Sequence, residues 1–206
     1  MRITRIKTLK SGRFGLFDGE QFLLSLDEAT LADNGLAIGD ELTEEELEGL
    51  KARAEDSRAK DRALTLLAMR DHSAKELRDK LARKLEAESA DRAVARMEQL
   101  GLIDDGRFAA SYAAELVTRR RYGRRRAVYE LIRKGIGREA AEEAVDALDA
   151  DPAEGARALL RQKFPRGLVD EADRRRAVGA LQRRGYDWED IRRALDTYGM
   201  DEENAD

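Results

Sequence analysis

Ala127-Val-Tyr-Glu-Leu131-Ile-Arg-Lys-Gly135-Ile136 reads as a short amphipathic helix that stops at a glycine. Ala127, Val128, Leu131 and Ile132 recur at the i, i+3, i+4 spacing that puts apolar side chains on one helical face. Gly135 stands where a helix needs a left-handed residue to end, and Arg133 and Lys134 fill the last turn, where the helix dipole favours cations. The pattern returns about fifty residues on as Ala177-Val-Gly-Ala-Leu181-Gln-Arg-Arg-Gly185-Tyr186, and about fifty back as Leu77-Arg-Asp-Lys-Leu81-Ala-Arg-Lys-Leu85. Leu81, Leu131 and Leu181 correspond, each followed at one spacing by two basic residues. A repeat of this length predicts a helical array whose units bury their apolar faces partly against one another.

Composition agrees with thin helical units. Charged residues make up 40% of the 206-residue chain and aromatics 5%. There is no cysteine, which excludes disulfides, thiolate metal sites and a cysteine nucleophile. The chain contains no apolar run of membrane-spanning length and does not open with the apolar core of a signal peptide. The expectation is a soluble, cytoplasmic, monomeric protein without membrane attachment.

In chain order, Arg2–Leu9, Phe14–Phe17 and Glu20–Ser25 read as strands, with Ser11-Gly12 and Asp18-Gly19 as turns. Residues 26–42 have helix and turn character, with Gly35 and Gly39 as stops. So small a β-rich module needs helices for support, and a structural cap is its expected role. Thr43-Glu-Glu-Glu46 is a capping box, followed by polar residues to about Asp61 that read as an exposed helical linker. Arg62–Met69 is the first clearly apolar helix. Ser73-Ala-Lys-Glu76 is a second capping box, and Ser89 is expected to cap a helix ending at Gly101. Asp104-Asp105 opens the next unit, with Phe108, Tyr112 and Leu116 as its apolar stripe. Asp151-Pro-Ala-Glu154 supplies cap, first-turn proline and first-turn glutamate for the third. Pro165 breaks that helix, and Asp187 caps a last one, ended by Gly199 and followed by an acidic tail. The predicted fold is mainly α: three three-helix repeats at 56–103, 104–150 and 151–199, after a β-rich module and linker helix at 1–55 and before a disordered tail at 200–206.

Catalytic groups are scarce. His72 is the only histidine and sits in a turn before a cap, a structural or merely exposed position. Asp104-Asp105 could hold a metal or act as an acid–base pair, but a third ligand is missing and helix capping explains both. No phosphate-binding glycine loop appears, and Gly135-Ile-Gly137 lies between helices rather than after a strand. The sequence predicts no enzyme, no metal and no cofactor. Trp188 reads as a packing anchor, as does Tyr112. Tyr122 and Tyr129 could stack on bases or line an interface, although aromatics at helical spacing usually pack inward.

The net charge of -4 hides a segregation. Between Asp18 and Asp56 stand thirteen acidic and two basic residues; between Arg119 and Lys134, eight basic and one acidic. Arginines often only solvate a helical face. Two triplets flanking Tyr122-Gly123 exceed that, because crowded like charges cost stability. The candidate surface for an anionic partner comprises Arg119, Arg120, Arg121, Arg124, Arg125, Arg126, Arg133 and Lys134, joined in the third repeat by Arg174, Arg175 and Arg176.

Ser73-Ala-Lys-Glu-Leu77, Leu100-Gly-Leu-Ile-Asp104-Asp-Gly-Arg-Phe108-Ala, Tyr122-Gly123 and Leu131-Ile-Arg-Lys-Gly135-Ile136, in this order and spacing, resemble the RecX family of bacterial regulatory proteins. The resemblance runs from about Arg62 to Gly199, and the N-terminal module is similar to the leading segment of some members. One departure is visible: Leu85 stands where the later units have Gly135 and Gly185. The resemblance implies a modulator, usually an inhibitor, of the RecA recombinase that lodges in the groove of the RecA filament on single-stranded DNA. There it would interfere with strand exchange and ATP hydrolysis, and touch DNA directly or through RecA. The alternative is a direct DNA-binding protein that uses its three-helix units like helix-turn-helix modules. A structural helical adaptor is a third reading.

Overall fold

The computed structural model describes residues 1–198 and divides into two compact units, Met1–Ile103 and the chain from Asp104 onward. Gly199 and the acidic tail lie outside the described residues.

The first unit opens with an antiparallel sheet in the order β1 (Arg5–Thr8), β2 (Phe14–Asp18), β3 (Gln21–Leu26). Pairing puts Ile6 opposite Leu16 and Leu16 opposite Leu24, with an irregularity at Leu16/Phe17. Gly19 turns the β2–β3 hairpin at φ 58°. After α1 (Glu28–Asp33) comes α2, which runs unbroken from Glu44 to Met69 behind the Thr43–Glu46 capping box. The polar stretch read as an exposed linker is thus the middle of a long helix. Leu47, Leu50 and Ala54 of α2 pack with Ile3, Leu16, Leu24, Leu26 and Leu42. Ala59 and Ala63, further along, pack with Leu77, Leu81, Val94 and Met97 of α3 (Ala74–Leu81) and α4 (Ala87–Gln99). One helix therefore supports the sheet and leads the first three-helix set. Arg13 adds to the first of these contacts by donating to Ser25 O (3.3 Å) and Ala54 O (3.4 Å).

Two local expectations change. α4 starts at Ala87 behind Glu86, without a side-chain cap, and Ser89 lies buried inside it, its Oγ accepting from Arg92 Nη2 at 3.1 Å. α3 stops after eight residues with Ala82 as a right-handed C-cap, and Leu85, where the later sets have glycine, folds back to give its N–H to Leu81 O (3.1 Å). His72 is buried: its Nδ1 meets Arg70 O at 2.9 Å and its Nε2 meets Lys80 Nζ at 2.8 Å. A lysine donates, so Nε2 accepts and the proton sits on Nδ1. Burial lowers the His72 pKa, in keeping with this neutral, structural state.

The second unit holds two further sets. α5 (Asp105–Ala114) begins at Asp104, whose Oδ1 accepts from Arg107 N at 2.8 Å, and passes into a π-helical turn at Glu115–Arg119. α6 (Arg124–Arg133) and α7 (Arg138–Asp146) complete the set around Phe108, Leu116, Ala127, Leu131, Ile136 and Val145. α8 (Pro152–Lys163), α9 (Glu171–Arg183) and α10 (Trp188–Tyr198) surround Leu159, Leu160, Leu181, Tyr186 and Ile191. Asp151 and Asp187 cap α8 and α10 as their sequences indicate. In every set the first and third helices lie against each other and the second closes over them. Buried alanines (Ala113, Ala127, Ala141, Ala156, Ala177, Ala194) let the helices approach closely. The fold is mainly α, with a small three-stranded sheet at the N-terminus.

Candidate functional site

The N-terminus of α6 is the centre of the candidate surface. Gly123 precedes the helix in extended conformation and offers no side-chain cap. The first N–H groups of a helix still need acceptors. They find them at the end of α9: Gly123 N donates to Arg184 O (2.9 Å) and Arg125 N to Gly185 O (3.3 Å). The backbones meet so closely that a Cβ on Gly123 would fall 2.4 Å from Tyr186 N, and one on Gly185 2.4 Å from Arg126 N. Gly185 also has φ 87°. Arg184 Nη1 donates to Arg120 O (2.6 Å), and the buried Tyr186 hydroxyl donates to Arg121 O (3.2 Å). Burial pushes that phenol up to about 12, so it stays a donor. Together these contacts hold the turn at 120–123, where Arg121 takes a left-handed φ of 52°, uncommon outside glycine.

On this frame the arginines divide into paired and unpaired. Arg120 bonds Glu115 Oε1 (2.6 Å), and Arg124 forks onto both oxygens of Asp146 in α7 (2.6 Å each). Their pKa values rise, chiefly through these hydrogen bonds, while Asp146 is held below the usual carboxylate range by Arg124. Arg126 and Arg133 share Glu130 at 2.5 and 3.3 Å. Arg119, Arg121 and Arg125 have no ion-pair or hydrogen-bond partner for their side chains among the described residues; Arg119 and Arg125 are exposed. Arg124 and Arg125 are exposed and Arg126 is partly exposed, but of the three only Arg125 has no side-chain partner among the described residues.

Aromatic rings interleave with these cations. Arg126 lies 5.4 Å from the ring centre of Tyr129 and 5.7 Å from that of Tyr122. Arg133 lies 5.9 Å from Tyr129, and Arg184 5.1 Å from Tyr122. The row Arg133–Tyr129–Arg126–Tyr122–Arg184 thus spans the second and third helical sets. Tyr129 is half exposed, whereas Tyr112 packs inward on Phe108 with Arg120 and Lys134 over it. Cations held over aromatic faces remain able to meet anions.

Arg174, Arg175 and Arg176 belong to the first turns of α9, about 12–15 Å along the helix from Arg184 at about 1.5 Å per residue. The structure does not merge them with the α6 surface. Arg176 is tied to Asp173, and Arg174 and Arg175 are exposed. Arg184, the link between the two sets, was not among the residues picked from sequence. The repeated basic pair after Leu181 was its only signal. Among the described residues no cluster of three or more acidic or imidazole groups could hold a metal, and no helix is long and apolar enough to cross a membrane.

Comparison with known proteins gives one consistent result. Residues 59–97, 104–145 and 149–195 match the family models described as the first, second and third three-helix domains of RecX. The "Regulatory protein RecX" of Stenotrophomonas maltophilia (strain R551-3) is 41% identical over 148 residues, which cover 71% of this chain and 90% of that protein. That of Chlorobium phaeobacteroides (strain BS1) is 36% identical over 149 residues, covering 70% and 96%. A solved structure titled "Crystal structure of regulatory protein RecX" superposes with a TM-score of 0.69 at 21% identity, covering 95% of this chain and all of that one. The RecX structure from Lactobacillus salivarius gives 0.59 at 21% identity, covering 71% and 97%; both structural likenesses speak to the fold alone. Three matched domains in order, with relatives above a third identical along nearly their whole length, place this chain in the RecX family of regulatory proteins.

Proposed function

We propose that this protein binds the RecA filament on single-stranded DNA and inhibits its ATP hydrolysis and strand exchange, acting as a regulator in recombination and DNA repair rather than as an enzyme. The observation that carries the reading is the arginine–tyrosine row running from α6 to Arg184, with Arg119 and Arg125 exposed beside it and without a side-chain partner among the described residues. The fold gains nothing from an unpaired Arg125 in the first turn of α6, where the helix dipole opposes a cation; Arg119 ends the preceding helical segment, where the dipole tolerates it. An anionic partner, whether acidic protein surface or phosphate, accounts for them.

The test is RecA-dependent ATP hydrolysis on single-stranded DNA, followed as the protein is titrated in, beside its binding to DNA alone across a salt series. The expected result is inhibition, with much tighter binding to RecA–DNA than to DNA. Tight, steeply salt-dependent binding to naked DNA and no effect on ATP hydrolysis would favour direct DNA binding instead. Neither effect would leave a helical adaptor.

A further inference from the structure

Trp188, the only tryptophan of the chain, is 64% exposed rather than the packing anchor expected from its place in the first turn of α10. Its indole walls a groove of about 460 Å³ between α9 and α10, floored by Val178, Gly179 and Leu195. No aromatic or cationic group stacks on the ring among the described residues. Gly179 stands inside α9, where glycine costs helix stability. Packing does not require it: an added Cβ would meet only the flexible end of Arg183, at 3.3 Å. Gly179 is part of the groove lining, so a large side chain there would enter the groove.

Arg174, Arg175 and Arg192 edge the same groove and have no ion-pair or hydrogen-bond partner among the described residues. Several arginines of the third set are tied down, Arg157 and Arg161 to Glu154, Arg176 to Asp173 and Arg193 to Asp151, whereas Arg166 and Arg183, like the three at the groove, have no such partner among the described residues. Two carboxylates, Glu171 and Asp196, also border the groove, and Glu171 is accounted for by the first turn of α9, where the dipole favours it. Three guanidinium groups with no partner among the described residues outnumber them.

We infer that this groove is a second binding site, in which one unstacked base of a single-stranded nucleic acid lies on the Trp188 indole while its flanking phosphates meet Arg174, Arg175 and Arg192. A bare indole face supplies stacking that any base accepts, and adjacent unpaired arginines supply the backbone contacts. A duplex hides its base faces. An acidic peptide would use the arginines but has no need of an open aromatic face. The inference rests on the function proposed above only in its choice of single-stranded DNA as ligand, and its test omits RecA.

The single tryptophan reports on the site directly. Fluorescence is followed while an oligothymidylate of about ten nucleotides is added to the full-length protein. Saturable quenching, weakened by salt, is expected. Arg174→Glu with Arg175→Glu raises the midpoint about tenfold or more, and Gly179→Leu fills the groove and removes the quenching, with circular dichroism unchanged. Trp188→Ala, measured by anisotropy of a labelled oligonucleotide, weakens binding about tenfold. The inference is overturned by absence of quenching, by equal quenching with duplex DNA or a polyglutamate peptide, or by undiminished quenching in Gly179→Leu. Such a failure leaves the RecA reading standing. Conversely, α6 variants that lose their effect on RecA but keep the quenching leave this groove in place.

Discussion

α6 and α9 are corresponding helices in successive sets, yet they begin in opposite ways. α9 starts at Asp170, whose carboxylate accepts from Asp173 N at 2.7 Å, and carries Glu171 and Asp173 in its first turn. α6 starts at Gly123 with three arginines and no side-chain cap. Its N–H groups are served by the last carbonyls of α9. The partial negative charge of one helix end thus lies at the partial positive charge of the other, which offsets part of what the arginines cost. A locally capped helix constrains only its own first turn. A helix capped by its neighbour constrains two glycines and frees its own first turn to carry charge.

The difference can be broken most severely at Gly185. Gly185→Ala sets a Cβ against the α6 backbone and strains a left-handed residue, so a loss of about 3 kcal/mol is expected in denaturant titration. Stability within ~0.5 kcal/mol of wild type would show that the two helix ends do not meet. Gly135, at the end of α6, shares the left-handed geometry (φ 93°). Gly135→Val should cost about 1 kcal/mol or more through the strain of a β-branched residue there. If Gly135→Val equals or exceeds Gly185→Ala, the contact adds nothing to the backbone strain. The smallest effect belongs to the side-chain cap: Asp170→Ala should cost about 1 kcal/mol and leave the α6 surface unaltered. A larger loss, with changed RecA inhibition, would mean that Asp170 acts beyond its own helix.

Much of this was legible because it is local. Thr43, Ser73, Asp104, Asp151 and Asp187 announce their helices within four residues, and the structure places each at a helix start. The strands around Leu16 and Leu24 likewise follow from short apolar runs between turns. The continuity of α2 was hidden because its middle buries alanines, Ala54 and Ala59, too small to stand out among charged neighbours. Ser89 carried a capping residue's chemistry but fell inside α4, since Glu86 had already begun the helix. At the candidate surface the arginines were legible as a run, but their partners were not. Asp146 lies 22 residues from Arg124, and Arg184 64 from Arg120. Only the folded chain separates arginines with a carboxylate from those without. Trp188 was misread because first-turn position does not reveal which face a ring takes.

The same partners sharpen the choice of variants. Reversing Arg124, Arg125 and Arg126 together also breaks the Asp146 and Glu130 pairs, so loss of function would be hard to assign. Arg92 is no neutral reference, because it grips Asp56 of α2 through Nε and Nη2. Arg96 bonds only the neighbouring Gln99 and serves better. The most direct measurement is therefore RecA ATP hydrolysis on single-stranded DNA against increasing amounts of the Arg119→Glu, Arg125→Glu double variant, with Arg96→Glu as reference and circular dichroism confirming both folds. The double variant should need about tenfold or more protein for half inhibition, with the difference shrinking as salt rises, while Arg96→Glu tracks wild type. A folded double variant that inhibits at the wild-type concentration would remove the α6 surface from the mechanism.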